Sequence, residues 1–153
     1  MASRRHPDLS NKIEAAIVAK IELQSVQAKV DKLFEKLENK RDRVIADSLV
    51  SSYSELVFFI LGCSSYGEEY LKTSDKHTKI KARRTELVLD SLDLDGKIKF
   101  ESAVARMKET GSRLDSMGIE SKKLAKLLIE KKSAAEKLDE EKKGLEDICA
   151  YLR

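Results

Sequence analysis

Apolar residues recur at alternating intervals of three and four through the first third of the chain. This spacing places them along one side of an α-helix, which is the pattern of a coiled-coil seam. We therefore predict a long coiled-coil-type helix over residues 10–46. The seam positions are Ala16, Ala19, Leu23, Val26, Val30, Leu33, Leu37, Lys40 and Val44.

The two halves of this predicted helix differ in how far their apolar surface extends. In the first half Ile13, Ile17, Val18 and Ile21 add to the seam, so this half is apolar on most sides and is expected to lie in a bundle core. In the second half charged residues flank the seam, which is typical of contact with a single helix. The predicted partner-binding seam comprises Val26, Val30, Leu33, Leu37, Lys40 and Val44.

Further helices are predicted downstream at about 48–61, 75–92, 99–117 and 121–152. The segment GCSSYG at 62–67 concentrates glycine and serine and predicts a break. The run LVFFIL at 56–61 is compatible with a buried strand by composition, but its neighbours recur at helical intervals and favour a helix in the core. Residues 1–9 form a polar leader, and residues 10–153 are expected to form a single all-α domain, an antiparallel helical bundle of about four to five helices.

Composition favours long helices over sheets. Charged residues make up 37% of the chain and aromatic residues 5%, with no Trp and one Pro, which is the profile of helices with solvated faces. The net charge of +3 is too small to attract nucleic acid through an overall field. No apolar run approaches the roughly 20 residues of a membrane span. We expect a soluble intracellular protein, cytoplasmic or nuclear, with no membrane span.

Catalytic motifs are sparse in this sequence. His6 and His77 lie outside the Glu-x-x-His spacing of di-iron bundles, and Cys63 and Cys149 belong to no paired metal-binding motif. The chain contains neither GxxxxGK[ST] nor GxGxxG. We therefore predict that the protein is not an enzyme, with no catalytic residue, cofactor or metal.

A basic stripe is the sharpest charge pattern. Cations spaced four, three and four residues apart would share one helical face, and others lie beside them. Such a stripe can follow a phosphate backbone or dock on an acidic protein surface. In so charged a chain, a solvated helix face or pairing with nearby aspartates is the commoner outcome. The predicted basic patch comprises Lys72, Lys76, Lys79, Lys81, Arg83 and Arg84.

The segment SLDLDGKIKFES, residues 91–102, resembles an EF-hand calcium loop. It matches loop positions three, five, six and eight through Asp93, Asp95, Gly96 and Ile98. The resemblance implies Asp93 and Asp95 as calcium ligands. Ser91 and Ser102 stand where the family has its first Asp and its bidentate Glu. Because those strong ligands are missing, we favour a helix–turn–helix corner whose aspartates cap helices.

Together these patterns suggest a non-enzymatic scaffold or adaptor protein that self-associates, or pairs with another helical protein within a larger complex. Lys40 at a seam position is the kind of polar insertion that sets register or partner choice. The alternative is a nucleic-acid-binding helical protein that uses the basic stripe at 72–84. A lesser alternative is a calcium-responsive protein that uses residues 91–102.

Overall fold

The computed structural model describes residues 7–152, with side chains from residue 9 to residue 151. Within this range the chain forms helices and no strand, which confirms the predicted all-α class. The predicted polar leader lies outside the described residues as far as residue 6. The helices are α1 (Pro7–Lys32), α2 (Lys40–Cys63), α3 (Gly67–Lys72), α4 (Thr78–Asp90), α5 (Leu94–Ser116) and α6 (Ser121–Leu152).

The chain divides into two compact units. The smaller unit, Met1–Lys29 with Glu130–Arg153, contains the first part of α1 and the last part of α6. The larger unit, Val30–Ile129, contains the helices between them. Each unit is described by itself below. The single domain over residues 10–153 stays a prediction.

The predicted continuous helix over residues 10–46 is wrong in its second half, because a break separates α1 from α2. Between residues 33 and 37, four N–H groups bond to the carbonyl three residues back, as Leu33 N–H does to Val30 O at 3.0 Å. This tighter bonding ends the regular α-helix. The 3,4 spacing of apolar residues therefore continues across a segment that is not α-helical.

Asn39 begins the new helix. Its backbone is extended, and its side-chain oxygen accepts a hydrogen bond from Arg41 N–H at 2.8 Å, as an N-cap residue does. Asp42 places a negative charge in the first turn of α2, where the helix dipole favours it. Arg43 Nε donates to the carbonyl oxygen of Leu37 at 2.6 Å and satisfies a polar group of the linker. The break thus has a local cause in the sequence.

The remaining boundaries differ from prediction by a few residues. The break predicted at 62–67 is confined to residues 64–66, and the short α3 follows it. The predicted helix over 75–92 is shortened to α4, and the helix predicted over 99–117 begins earlier, at Leu94. The earlier start has a clear cause, because Asp93 caps α5 by accepting a hydrogen bond from Gly96 N–H at 2.7 Å. α6 has its predicted bounds.

Gly118 ends α5 through the backbone conformation that glycine favours. Its φ is +83°, and the N–H of Ile119 bonds to Leu114 O at 3.0 Å while that of Gly118 bonds to Asp115 O at 3.0 Å. This is the Schellman arrangement, in which apolar residues on either side of the glycine also meet. Ile119 and Leu114 are both fully buried. The turn therefore directs the chain from α5 into α6 and supplies part of the core.

The core of the larger unit consists of two clusters, and α2 contributes to both. The first surrounds Tyr53 and Val57 of α2, Leu114 of α5 and Leu124 of α6. The second joins Leu56 and Ile60 of α2 to residues of α3, α4 and α5, including Tyr70 and Phe100, whose rings meet edge to face at 5.4 Å. The LVFFIL run is thus helical and lies partly in the core.

The smaller unit is an antiparallel pair of helical segments. Glu22 of α1 forms an ion pair with Lys137 of α6 at 3.7 Å, and the Lys12 side chain packs beside Gly144. Early residues of α1 thus lie beside late residues of α6. Ala19 and Leu138 are the buried residues of this pair among those that the structure describes. The first part of the predicted seam therefore packs on α6.

Length and composition would allow α2 to cross a membrane, and it is the one helix among residues 7–152 with this property. A core helix of a folded domain has the same length and composition. The buried face of α2 belongs to both core clusters of the larger unit. We therefore describe α2 as a core helix, and the expected absence of a membrane span stays a prediction.

Gly62 near the end of α2 and Gly67 at the start of α3 provide a matched test of this packing. A Cβ atom at Gly67 would collide with the carbonyl oxygen of Ile60, whereas one at Gly62 would meet nothing within 4 Å. Gly67→Ala should lower the free energy of unfolding by about 1–3 kcal/mol because the backbone has to shift. Gly62→Ala should raise it by roughly 0.5–1 kcal/mol because alanine favours the helix.

Urea denaturation followed by circular dichroism measures both changes. Equal destabilisation by the two substitutions would contradict the packing at the start of α3.

Candidate functional site

The residues of the predicted partner-binding seam do not form one surface. Val30 and Leu37 are buried in the core of the larger unit, and Leu33 packs against them. The other seam residues fall elsewhere: Val26 is half-buried on α1, and Lys40 and Val44 are exposed on α2, beyond the break. The seam from 30 to 37 is therefore occupied by the chain's own core. This corrects the prediction that it faces a partner.

Apolar residues on the opposite side of α1 are exposed instead. They lie at intervals of four residues with one neighbour beside them, and each is about half exposed. We call this surface the outer α1 face; it comprises Ile13, Ile17, Val18 and Ile21. These residues had been expected to lie in a bundle core, yet the two-helix unit leaves them in contact with solvent.

The predicted basic patch is divided among three segments. Lys72 ends α3, Lys76 lies in the turn that follows, and the other four cations lie on α4. Their 4,3,4 spacing therefore does not place them on one helical face. This corrects the prediction of a continuous basic stripe, and its cause is the break between α3 and α4.

Most cations of this patch also have partners. Lys72 pairs with Glu68 at 3.0 Å, Arg84 pairs with Glu69 at 2.8 Å, and Arg83 lies 3.5 Å from Glu86. All three partners are exposed carboxylates. Glu68 and Glu86 lie within four residues of their cations, whereas Glu69 is fifteen residues from Arg84. Lys76 and Lys79 have no ion-pair partner among residues 7–152. The patch consequently has less net positive charge than its sequence indicates.

The EF-hand resemblance does not extend to the structure. Only three residues separate α4 from α5, whereas an EF-hand loop has twelve. Asp93 is the N-cap of α5, and Asp95 lies in its first turn, paired with Lys99 at 3.0 Å. Within residues 7–152 no group of three or more potential metal-ligating side chains comes together. The local structure is therefore a helix–turn–helix corner in which Asp93 caps α5.

A polar cleft in the larger unit was not anticipated from the sequence. It has a volume of about 370 Å³ and lies among Tyr53 of α2, the end of α3 and its turn, Lys81 of α4, and facing parts of α5 and α6. Its charged residues are Lys72, Asp75, Lys81, Lys108, Asp115, Lys122 and Lys126. We call it the lysine cleft. Five lysines against two aspartates leave an excess of three positive charges.

Lys81 holds one wall of the lysine cleft in place. Its side chain is 17% exposed, and its ammonium donates hydrogen bonds to Tyr70 O at 2.5 Å and Thr73 O at 3.2 Å. It also lies 3.8 Å from the centre of the Tyr70 ring. Tyr70 O also accepts a hydrogen bond from the N–H of Thr73 at 3.3 Å. Lys81 therefore adds a second donor at Tyr70 O and satisfies Thr73 O at the end of α3. Lys81 is therefore mainly a structural cation.

The electrostatics around Lys81 reveal crowding of positive charge. Burial lowers the pKa of Lys81, and the nearby Lys108 and Lys122 lower it further, while Asp75 acts in the opposite direction. Asp75 lies 4.0 Å from the Lys81 ammonium and 3.4 Å from that of Lys122. The carboxylate thus lies between two cations that would otherwise repel each other.

The floor of the lysine cleft depends on a small residue and a buried hydroxyl. The Tyr53 hydroxyl donates to the carbonyl oxygen of Ser121 at 3.1 Å, and Asp115 Oδ1 accepts from the N–H of Ser121 at 2.9 Å. A Cβ atom at Gly111 would lie 3.2 Å from Ser121 Oγ, so glycine permits the close approach of α5 and α6. The start of α6 is fixed in the cleft by these contacts.

No family model matches the chain, and no match was found among curated proteins or solved structures.

The lysines of the lysine cleft could not be grouped from the sequence, because Lys81, Lys108 and Lys126 belong to different helices. Gly111 offered a local signal, since a glycine inside an apolar helical stripe often marks close packing.

Tyr53 gives a prediction for the alkaline range. Burial, with a smaller contribution from Asp115, raises the pKa of its hydroxyl from 10.0 to about 12, and the bond to Ser121 opposes the shift. The protonated hydroxyl therefore contributes stability in full below pH 10 and loses it as the pH rises toward 12. Tyr53→Phe should reduce the fall in unfolding free energy over this interval by about 2–3 kcal/mol.

At neutral pH the same substitution should cost about 1 kcal/mol, because the bond to Ser121 is lost. Urea denaturation at pH 8, 10 and 11.5 measures both effects. Tyr151→Phe, at an exposed side chain, is the matched control and should leave stability unchanged. An identical pH profile for wild type and Tyr53→Phe would contradict the assignment.

Proposed function

We propose that this chain is a non-enzymatic helical interaction protein that self-associates through the outer α1 face. The half-exposed apolar residues of that face carry the proposal. An apolar surface concentrated on one helix is typical of a site where another protein packs. The occupant that we propose is a second copy of the same chain.

The spacing of the outer α1 face suits packing against another helix. Ile13, Ile17 and Ile21 are four residues apart, so they form a ridge along the helix surface. Ridges of this spacing pack into the equivalent groove of a second helix. Val18 broadens the apolar area beside the ridge.

The small buried core of the two-helix unit favours a second copy as the occupant. Among its described residues, Ala19 and Leu138 are the buried ones, which is few for an independently stable pair of helices. Two such pairs that meet through the outer α1 face would make four helices around a shared core, as in helical bundles. A two-fold axis would let the same surface serve both copies.

Charge does not oppose this pairing. Glu14 and Lys20 lie near the ridge on α1 and have opposite signs, so the face has no net charge to repel its own copy. Self-association would therefore gain apolar burial without bringing a surplus of like charges together.

The nucleic-acid alternative has weaker support. Lys72, Arg83 and Arg84 lie beside carboxylates, and Lys81 donates to backbone carbonyls. Phosphate contacts would have to compete with these partners. The calcium alternative also has weaker support, because the residues that resemble the loop lie mostly in α5.

A charge placed on the outer α1 face should weaken self-association. The Ile17 side chain is 54% exposed, so Ile17→Asp should leave the helix content unchanged. In a dimer it would bury two carboxylates, and the dissociation constant should rise by about a hundredfold. Sedimentation equilibrium over a range of protein concentrations measures this change.

Ile98→Asp is the matched control, because Ile98 is 60% exposed on α5 in the other unit. It should leave the dissociation constant unchanged. A wild-type chain that stays monomeric at all concentrations would contradict the proposal. A larger rise in the dissociation constant with Ile98→Asp than with Ile17→Asp would also contradict it.

A further inference from the structure

The lysine cleft has the dimensions of a ligand site. Its volume of about 370 Å³ lies within the range of small-molecule pockets. Leu71, Met107 and Ala125 supply apolar surface, and the hydroxyls of Ser74 and Ser112 supply hydrogen-bonding groups. It is thus a concave, mixed surface on the larger unit.

The charges of the lysine cleft indicate the sign of the ligand. Lys108 and Lys126 line it and have no ion-pair partner among residues 7–152. Lys122 shares the single carboxylate of Asp75 with Lys81. Three of the five lysines therefore have positive charge that the protein does not fully neutralise. A bound anion would neutralise this remaining charge.

Asp75 indicates where an anion can sit. Its carboxylate oxygens lie 4.0 Å and 3.4 Å from the ammonium groups of Lys81 and Lys122, which is the position that a phosphate oxygen would take between two lysines. The residue is exposed in a turn between α3 and α4. An incoming anion would compete with this carboxylate for the same cations.

We infer that the lysine cleft binds a small phosphorylated compound, with its phosphate among Lys108, Lys122 and Lys126 and its less polar part against Met107 and Leu71. Lysine ammonium groups bind phosphate as point charges and do not require the paired geometry of arginine. Two kinds of ligand would carry this phosphate dianion, namely a free phosphorylated metabolite and the headgroup of a phosphoinositide.

Calorimetry with inorganic pyrophosphate at low ionic strength tests the inference on the full chain. The wild type should bind it saturably with one site per chain, and affinity should fall as salt is raised. Lys126→Gln and Lys108→Gln should each weaken binding by about threefold to tenfold, because each removes an exposed charged donor.

Asp75→Asn should act in the opposite direction and strengthen binding by roughly threefold, because it removes the competing carboxylate. A variant that is merely damaged cannot bind more tightly, so this arm separates a direct effect from a folding defect. Lys97→Gln, at an exposed lysine outside the cleft, is the matched control and should bind as the wild type does.

The inference is overturned by an absence of saturable heat with the wild type, or by equal losses in Lys97→Gln and Lys126→Gln. It is also overturned by weaker binding in a folded Asp75→Asn chain. Sedimentation with vesicles that contain phosphatidylinositol 4-phosphate separates the two sources. If the chain binds the vesicles and pyrophosphate displaces it, the ligand of the lysine cleft is a lipid headgroup. If the chain binds pyrophosphate but not the vesicles, the ligand is a soluble compound.

Discussion

The larger unit depends on removing one face of α2 from water. Val57 and Ile60 are fully buried on that face, and they belong to different core clusters. Burial of such side chains contributes roughly 1.5–3 kcal/mol each, which exceeds the roughly 0.5–1.5 kcal/mol of a typical uncharged hydrogen bond and the roughly 0–1 kcal/mol of an exposed ion pair. The other helices of the unit, and the turns between them, are arranged around this requirement.

The lysine cleft follows from the same packing. Tyr53 continues the buried face of α2, and its hydroxyl has to find a partner, which it does at Ser121 O. Gly111 lets α5 approach α6 closely enough for that bond. At the end of α3, Lys81 of α4 donates to the carbonyl oxygens of Tyr70 and Thr73. The polar groups that bond to the Tyr53 hydroxyl and to the end of α3 therefore lie beside the apolar core. The lysines around them make the lysine cleft positively charged.

Sequence reasoning succeeded where the signal lies within one or two helical turns. The helices, the end of α5 at Gly118 and the corner at Asp93 are of this kind. The break before α2 also had such a signal in Asn39, but the uninterrupted apolar spacing concealed it. The functional surfaces were predicted less well. Val30 and Leu37 have the spacing of a partner seam, yet the spacing does not say whether the partner helix belongs to the same chain.

By itself the sequence determined that this protein is helical and where several of its helices begin and end, because periodicity, caps and glycines act over a few neighbouring residues. The tertiary structure decided which apolar residues are exposed and which cations are paired. Those outcomes depend on residues far apart in the chain, such as Tyr53 with Ser121 and Asp75 with Lys122. The N-terminal seam is therefore internal core from residue 30 to residue 37, while Ile17 on the other side of α1 is in contact with solvent.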